Sequence, residues 1–155
     1  EASRPSRRYG VEWTNFYAPT DWLAFDADLA WSHARFRDSA PEGDFIPGAV
    51  TATANLGVTV DHLGPWFGAL RLRYFGPRPL IEDNSARSRA TSIVNARVGY
   101  AFDKTMKLSL DVYNLFNTYD ARGNGVGVFQ TGTPAGITGT PVIGQTFTGS
   151  LRFSF

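Results

Sequence analysis

The chain has 155 residues, the length of one ordinary domain, with 43% hydrophobic and 14% aromatic content and 12 phenylalanines, which excludes a disordered tail. Its 15 basic and 14 acidic residues leave a net charge of +1, so nothing in the composition asks for nucleic acid or a polybasic membrane patch. There is no cysteine, which excludes a disulfide framework and a thiolate metal site, and no run approaches the roughly 18 uncharged apolar residues of a membrane helix.

The opening "EASRPSRRYG" carries neither an initiator Met nor the apolar core of a signal peptide. It reads as a processed terminus or the interior of a longer protein, and the strand count favours the second. From there the chain alternates apolar and polar residues with period two, the signature of strands. A first strand is predicted over 7–17. The second, "DWLAFDADLAWSHARFRD", sets Leu23, Phe25, Ala27, Leu29 and Trp31 against Trp22, Ala24, Asp26, Asp28, Ala30 and Ser32. A helix would leave no clean apolar stripe there.

The third strand, "VTATANLGVTVDH", alternates Val50, Ala52, Ala54, Leu56, Val58 and Val60 with Thr51, Thr53, Asn55, Gly57, Thr59 and Asp61. The fourth, "WFGALRLRYF", sets Trp66, Leu70, Leu72 and Tyr74 against Phe67, Ala69, Arg71 and Arg73. The fifth, "TSIVNARVGYAF", sets Val94, Ala96, Val98, Tyr100 and Phe102 against Asn95 and Arg97. The sixth, "MKLSLDVYNLF", sets Met106, Leu108, Leu110 and Val112 against Lys107, Ser109 and Asp111. The seventh is the end of the chain, "GQTFTGSLRFSF", with Phe147, Leu151, Phe153 and Phe155 on one face and Thr146, Thr148, Ser150, Arg152 and Ser154 on the other.

Alternation alone suits a soluble sandwich as well as a membrane barrel. A mean hydropathy of −0.20 does not decide either, because barrel strands are only half apolar. The connections favour a barrel. "APTD", "HLGP" and "DKT" are short, whereas "SAPEGDFIPGA", "GPRPLIEDNSARSR" and the stretch 117–142 are long. Short turns at one end and long loops at the other are the outer-membrane pattern. Aromatics are predicted as two girdles. Trp22, Trp66, Tyr100 and Phe102 stand beside the short turns, and Trp31, Phe36, Tyr74, Phe75, Tyr113, Phe116 and Tyr119 toward the long loops. With periplasmic short turns, Phe155 would end the last strand at the periplasmic rim.

No catalytic constellation is visible, so an enzyme is not expected. His33 and His62 have no third partner for a metal, and there is no nucleophile elbow or zinc-protease helix motif. "RGNGVGVF" at 122–129 lacks the context of a phosphate loop and is expected to be surface loop. Asp26 and Asp28 share a face roughly 7 Å apart. Together with Arg71, Arg73, Arg97, Lys107, Asp111 and Arg152 they are expected to form a lumen-facing charge ladder with cross-strand pairing. The loop "RPLIEDNSARSRA" gathers Glu82, Asp83, Asn84, Arg87 and Arg89 as candidate substrate contacts, since loops carry binding.

The stretch "LSLDVYNLFNTYDARGN" resembles a late signature of TonB-dependent outer-membrane receptors: a strand ending in Asn114, Leu115, Phe116 and Asn117, then an aromatic, Tyr119. The end, "GQTFTGSLRFSF", resembles the last strand of that family. The block from Arg73-Tyr74 through Pro79-Leu80 to Asn95, Gly99 and Tyr100 also resembles the family, as a strand exit, a Pro-Leu loop and the strand that follows. The resemblance runs from about Tyr9 to Phe155. It implies an all-β, antiparallel, up-and-down transmembrane barrel. Residues 1–155 would be the seven C-terminal strands of one of roughly 22, without the signal peptide and plug domain. It also implies energy-coupled uptake of a scarce nutrient such as a ferric siderophore, a cobalamin or an oligosaccharide, with no cofactor. The partners implied are outer-membrane lipid, the rest of the barrel and plug, the TonB complex through the missing N-terminal part, and the barrel assembly machinery. The last would read Phe147, Leu151, Phe153 and Phe155 as its signal. The residues leave two alternatives open: a small complete outer-membrane barrel with a structural or adhesive role, its eighth strand in 117–142 or before Arg7, and a soluble β-sandwich binding module.

Overall fold

The computed structural model describes residues 4–118, 130–133, 136–139 and 144–153. Seven strands form one antiparallel sheet. They are β1 (Ser6–Tyr17), β2 (Leu23–Phe36), β3 (Ala52–Leu63), β4 (Trp66–Phe75), β5 (Thr91–Ala101), β6 (Met106–Tyr113) and, after an interruption, β9 (Thr146–Phe153). Each pairs with its neighbour in chain order, and β9 closes onto β6. The interruption holds two short strands, β7 (Gln130–Thr133) and β8 (Gly136–Gly139), which pair with each other and with no strand of the large sheet. The expected seven strands are therefore present. The hidden eighth strand of the small-barrel alternative would have to join this sheet, and β7 and β8 do not. No second sheet packs on the first among the described residues, so the sandwich alternative has no partner layer.

Register aligns the apolar residues across all seven strands. One row reads Tyr17, Phe25, Val58, Leu70, Ala96, Val112 and Phe147. The opposite face carries the row Asp26, Gly57, Arg71 and Asn95 and the row Arg97, Asp111 and Thr148. Successive side chains point to opposite faces, so the two faces never mix within the sheet. The large apolar side chains are nonetheless exposed, Leu29 by 42% and Phe147 by 62%. Among the described residues the only buried hydrophobics are Ile46 and Leu80, and both lie in loops between strands. A water-soluble sheet of this size would bury its apolar face; this one presents it to its surroundings.

The short turns have local causes. Between β3 and β4 the chain reverses with His62 and Gly64 at φ 55° and 61°, and the register shifts between Val60 and Leu63. Between β5 and β6, Asp103 Oδ1 accepts hydrogen bonds from Thr105 N, Thr105 Oγ1 and Met106 N, at 2.6, 2.6 and 2.8 Å. These bonds, the Thr105 hydroxyl's first, hold the Asp103 carboxyl below its ordinary range.

The girdles need one correction, which parity supplies. Trp66, Tyr100 and Phe102 stand together on the apolar face, ring centroids 5.0 Å apart and edge to face, and Tyr9 and Trp31 pair at 6.0 Å at the other end. Trp22, Phe36, Phe75 and Tyr113 fall one residue out of phase and lie on the polar side. The sixth strand also stops at Tyr113 rather than Phe116, because Asn114 adopts a left-handed φ of 52°. Tyr119 lies outside the described residues. The apolar face is not wholly uncharged, since Arg7 and Arg35 stand on it at its long-loop end.

Gly57 matters to the polar face. Asp26 Oδ2 accepts from Arg71 Nη1 at 3.0 Å, although a whole strand lies between them. The Asp26 carboxylate lies over Gly57, where any Cβ would collide with it. Gly57→Val should displace Asp26, break that pair and lower the stability of the detergent-folded protein by about 0.5–1 kcal/mol. Urea unfolding checks this. In an Asp26→Ala background most of the cost should vanish, and an equal cost in both backgrounds refutes the steric account.

Candidate functional site at the long-loop end

The two described long connections, 37–51 and 76–90, pack against each other instead of trailing into solvent. Residues 76–90 fold back as a small hairpin with a bridge between Pro79 and Arg87. Leu80 N donates to Ala86 O and Ser88 N to Arg78 O, both at 2.9 Å. Backbone bonds then join the connections: Phe45 N to Glu82 O at 3.0 Å and Gly48 N to Pro79 O at 2.9 Å. Ile46 and Leu80 are buried in these two connections, 8% and 4% exposed. Arg78 is buried as well, which pushes its guanidinium pKa down by desolvation.

Arg4 clasps this arrangement from the chain's N-terminal arm. Its Nε and Nη2 reach the Asp38 carboxylate at 2.6–3.1 Å, Nη2 donates to Gly43 O at 2.9 Å, and Nη1 pairs with Glu82. The guanidinium also sits 4.1 Å from the Phe36 ring centroid. One planar fork thus ties both connections to the end of β2, a geometry lysine cannot supply. The hydrogen bond from Arg4 lowers the Asp38 pKa, and Asp38 in turn raises that of Arg4.

The five loop residues singled out from sequence therefore have different placements. Glu82 is held by Arg4. Asp83 accepts from Ser85 N at 2.9 Å and caps the hairpin tip, which lowers its pKa. Asn84 supports that tip with a φ of 61° and accepts from Arg87 Nη1 at 2.6 Å. Asp83, Arg87 and Arg89 are exposed. Sequence reasoning passed over Arg4 and Asp38: they are 34 residues apart, and no local pattern marks them.

On the polar face a groove of about 220 Å³ is lined by Arg71, Asn95, Arg97, Asp111 and Tyr113. Arg97 Nε donates to Asp111 Oδ1 at 2.6 Å, so the expected cross-strand pairing occurs there. The ladder is not uniform: Lys107 faces Arg152 directly, and Asp28 and Arg73 bracket Asn55 in one row. Among the described residues no group of three potential ligands could hold a metal ion.

Asn114 to Asn117 form a turn. Both asparagines are left-handed, at φ 52° and 48°, a region asparagine tolerates better than other non-glycine residues. Leu115 N donates to Val94 O at 2.7 Å, and Asn114 N to the Asn95 side chain at 3.0 Å. Asn114 Oδ1 accepts from Thr118 N at 2.8 Å, and Asn117 Oδ1 from Gln145 N at 3.1 Å. Gln145 Nε2 returns a bond to Leu115 O at 2.9 Å. The motif thus ends β6, pins that end to β5 and fixes the approach to β9. At β9, Phe147, Leu151 and Phe153 face the apolar side opposite Val112, Leu108 and Met106; Phe155 lies outside the described residues.

A half-apolar antiparallel sheet with short turns at one end and braced loops at the other defines a wall of a transmembrane β-barrel. The family model described as TonB dependent receptor-like, beta-barrel matches residues 3–115, and the chain belongs to that family. No curated protein matches. Among solved structures, the ferric yersiniabactin uptake receptor FyuA from Yersinia pestis superposes with a TM-score of 0.78 at 17% identity, over 97% of this chain and 24% of its own. The ferric-catecholate import receptor Fiu from E. coli gives 0.77 at 16% identity, over 97% and 21%. The siderophore receptor PiuA from Acinetobacter baumannii gives 0.74 at 16%, over 96% and 22%. The chain thus spans under a quarter of the length of these receptors.

The two left-handed asparagines separate backbone from side-chain effects. Asn114→Gly keeps the conformation and loses the side-chain bonds, whereas Asn114→Ala loses both. The alanine variant should be the less stable by about 1–2 kcal/mol in thermal unfolding.

Proposed function

We propose that this chain is the C-terminal portion of the barrel domain of a TonB-dependent receptor in the outer membrane of a Gram-negative bacterium, and that the receptor imports a ferric siderophore. The single observation that carries this is the family match over 3–115 on an open sheet. Among the described residues β1 and β9 each have one partner strand. In lipid an unpaired strand edge costs several kcal/mol per backbone group, so further strands of the same barrel close it. The named relatives, two of ferric chelates and one of a siderophore, support the substrate class. Cobalamin and oligosaccharide are the alternative cargoes.

In this reading the braced loops face outward and take the ligand, and Asp83 and Arg89 are its contacts. Glu82 and Asn84 hold the loop. Asp26, Asp28, Arg71, Arg73, Arg97, Asp111 and Arg152 line the lumen beside the plug. The TonB complex drives plug movement, so the work is transport rather than covalent catalysis. The final strand, with Phe147, Leu151, Phe153 and Phe155, is the assembly machinery's signal.

Uptake of iron-labelled chelates by cells making the whole receptor should stop when the inner-membrane gradient is dissipated. Uptake that continues overturns energised transport. Asp83→Asn with Arg89→Gln should weaken ligand binding about tenfold, by fluorescence titration. Face assignment is tested separately. Leu29→Arg, on the lipid side, should cost roughly 2–4 kcal/mol, and Thr53→Arg, on the lumen side, much less. Equal costs in detergent or lipid unfolding would count against the assignment.

A further inference from the structure

At the long-loop end a single guanidinium holds together segments that chain order keeps apart. The short turn after Tyr17 sets the Ser6 end of β1 beside the long connections, so the arm at residues 4–5 lies there too. Pro5 O accepts from Arg37 N at 2.9 Å, which lays this arm along the exit of β2. Arg4 then spreads its fork over three partners. Nε and Nη2 reach Asp38, Nη2 also donates to Gly43 O at 2.9 Å, and Nη1 pairs with Glu82. Asp38 and Gly43 belong to the connection 37–51, and Glu82 to the hairpin 76–90. Gly43 takes a φ of 109°, and a Cβ there would run into the Glu82 carbonyl and the Asp83 backbone. The hairpin tip thus rests on the segment that Arg4 grips, and Asp83 directly follows the residue that Arg4 pairs with.

Apolar burial alone would leave this tip loosely placed. Asp83, Ser85 and Arg87 are exposed, and among the described residues only Ile46 and Leu80 are buried hydrophobics. Placement therefore falls to polar contacts, and a planar fork fixes two carboxylates and a carbonyl relative to one another as a lysine ammonium cannot. We propose that Arg4 is a positioning residue for cargo recognition: it locks the arm before β1 and the connections 37–51 and 76–90 into one body, and so fixes where Asp83 and Arg89 meet the ligand. Loops held in place beforehand do not carry an ordering cost into binding. The role rests on the transport reading above, in which residues 4–5 end the connection that enters β1 from a preceding strand.

The test uses cells making the whole receptor, with radio-iron supplied as ferric yersiniabactin or as a ferric catecholate. Arg4→Gln should raise the half-saturating concentration about fivefold and leave the maximal rate per receptor unchanged. Gly43→Ala disturbs the same contact from the backbone and should shift half-saturation in the same direction. Arg4→Lys should recover little of the loss, and full recovery overturns the fork in favour of charge alone. Trypsin added to intact cells reads the loops without cargo. Cleavage after Arg87 and Arg89, both exposed, should run about fivefold faster in Arg4→Gln. Unchanged cleavage overturns the clasp, and unchanged half-saturation overturns the positioning role even where cleavage quickens. A loss confined to receptor number or maximal rate makes Arg4 structural only and overturns the role as well. Native cells that take up neither chelate overturn the siderophore reading on which that role rests.

Discussion

Everything in this sheet depends on register. The row from Tyr17 through Phe25, Val58, Leu70, Ala96 and Val112 to Phe147 crosses all seven strands without changing face. A slip of one residue at any pairing would turn every later charge onto the apolar face and every later aliphatic onto the polar face. Arg71, Arg97 and Asp111 would then lie in hydrocarbon, where each charge is expensive. The hydrophobic pattern holds the pairing because the two solvents on either side of the sheet differ.

That difference explains where the protein keeps its interior. The sheet has almost none: its large apolar side chains are exposed, and in a membrane-spanning barrel wall lipid would take the part that a core plays in a soluble domain. Between the outer edges of β1 and β9 backbone hydrogen bonding is satisfied strand to strand, and closing those two edges completes the condition for crossing a bilayer. Among the described residues the buried apolar side chains, Ile46 and Leu80, sit instead in the long connections. There loops must hold a shape without a sheet to lean on, and Arg4 supplies the cross-brace through Asp38, Gly43 and Glu82.

The same end carries the groups through which such a receptor would meet its surroundings. The hairpin tip with Asp83 stands exposed, the groove by Arg97 and Asp111 opens on the polar face, and Arg7 and Arg35 stand at the edge of the apolar face. Asn114 and Asn117 are the structural counterpart of these elements. Their left-handed backbone stops β6 and sets the path to β9, so a motif that reads as family signature is a turn with a conformational reason.

Period-two alternation and the contrast between short and long connections were enough to place the seven strands of the large sheet, though not β7 and β8, and β4 runs from Trp66 to Phe75 as the pattern reads. They also settled which face Asp26, Arg71, Arg97 and Asp111 share, because parity within a strand is a local property of the backbone. The β6 boundary was misread because Leu115 and Phe116 continue the apolar spacing, while the left-handed φ of Asn114 leaves no trace in hydropathy. Trp22, Phe36, Phe75 and Tyr113 were misread as girdle because their nearness to a strand end was weighed above their parity. What only tertiary structure decided is which distant groups meet: Arg4 with Asp38 and Glu82, Asp26 with Arg71 over the gap at Gly57, Arg7 opposite Arg35. Those meetings follow from how strands and loops far apart in the chain are brought side by side, and a linear pattern carries the period of each strand but not the register between them.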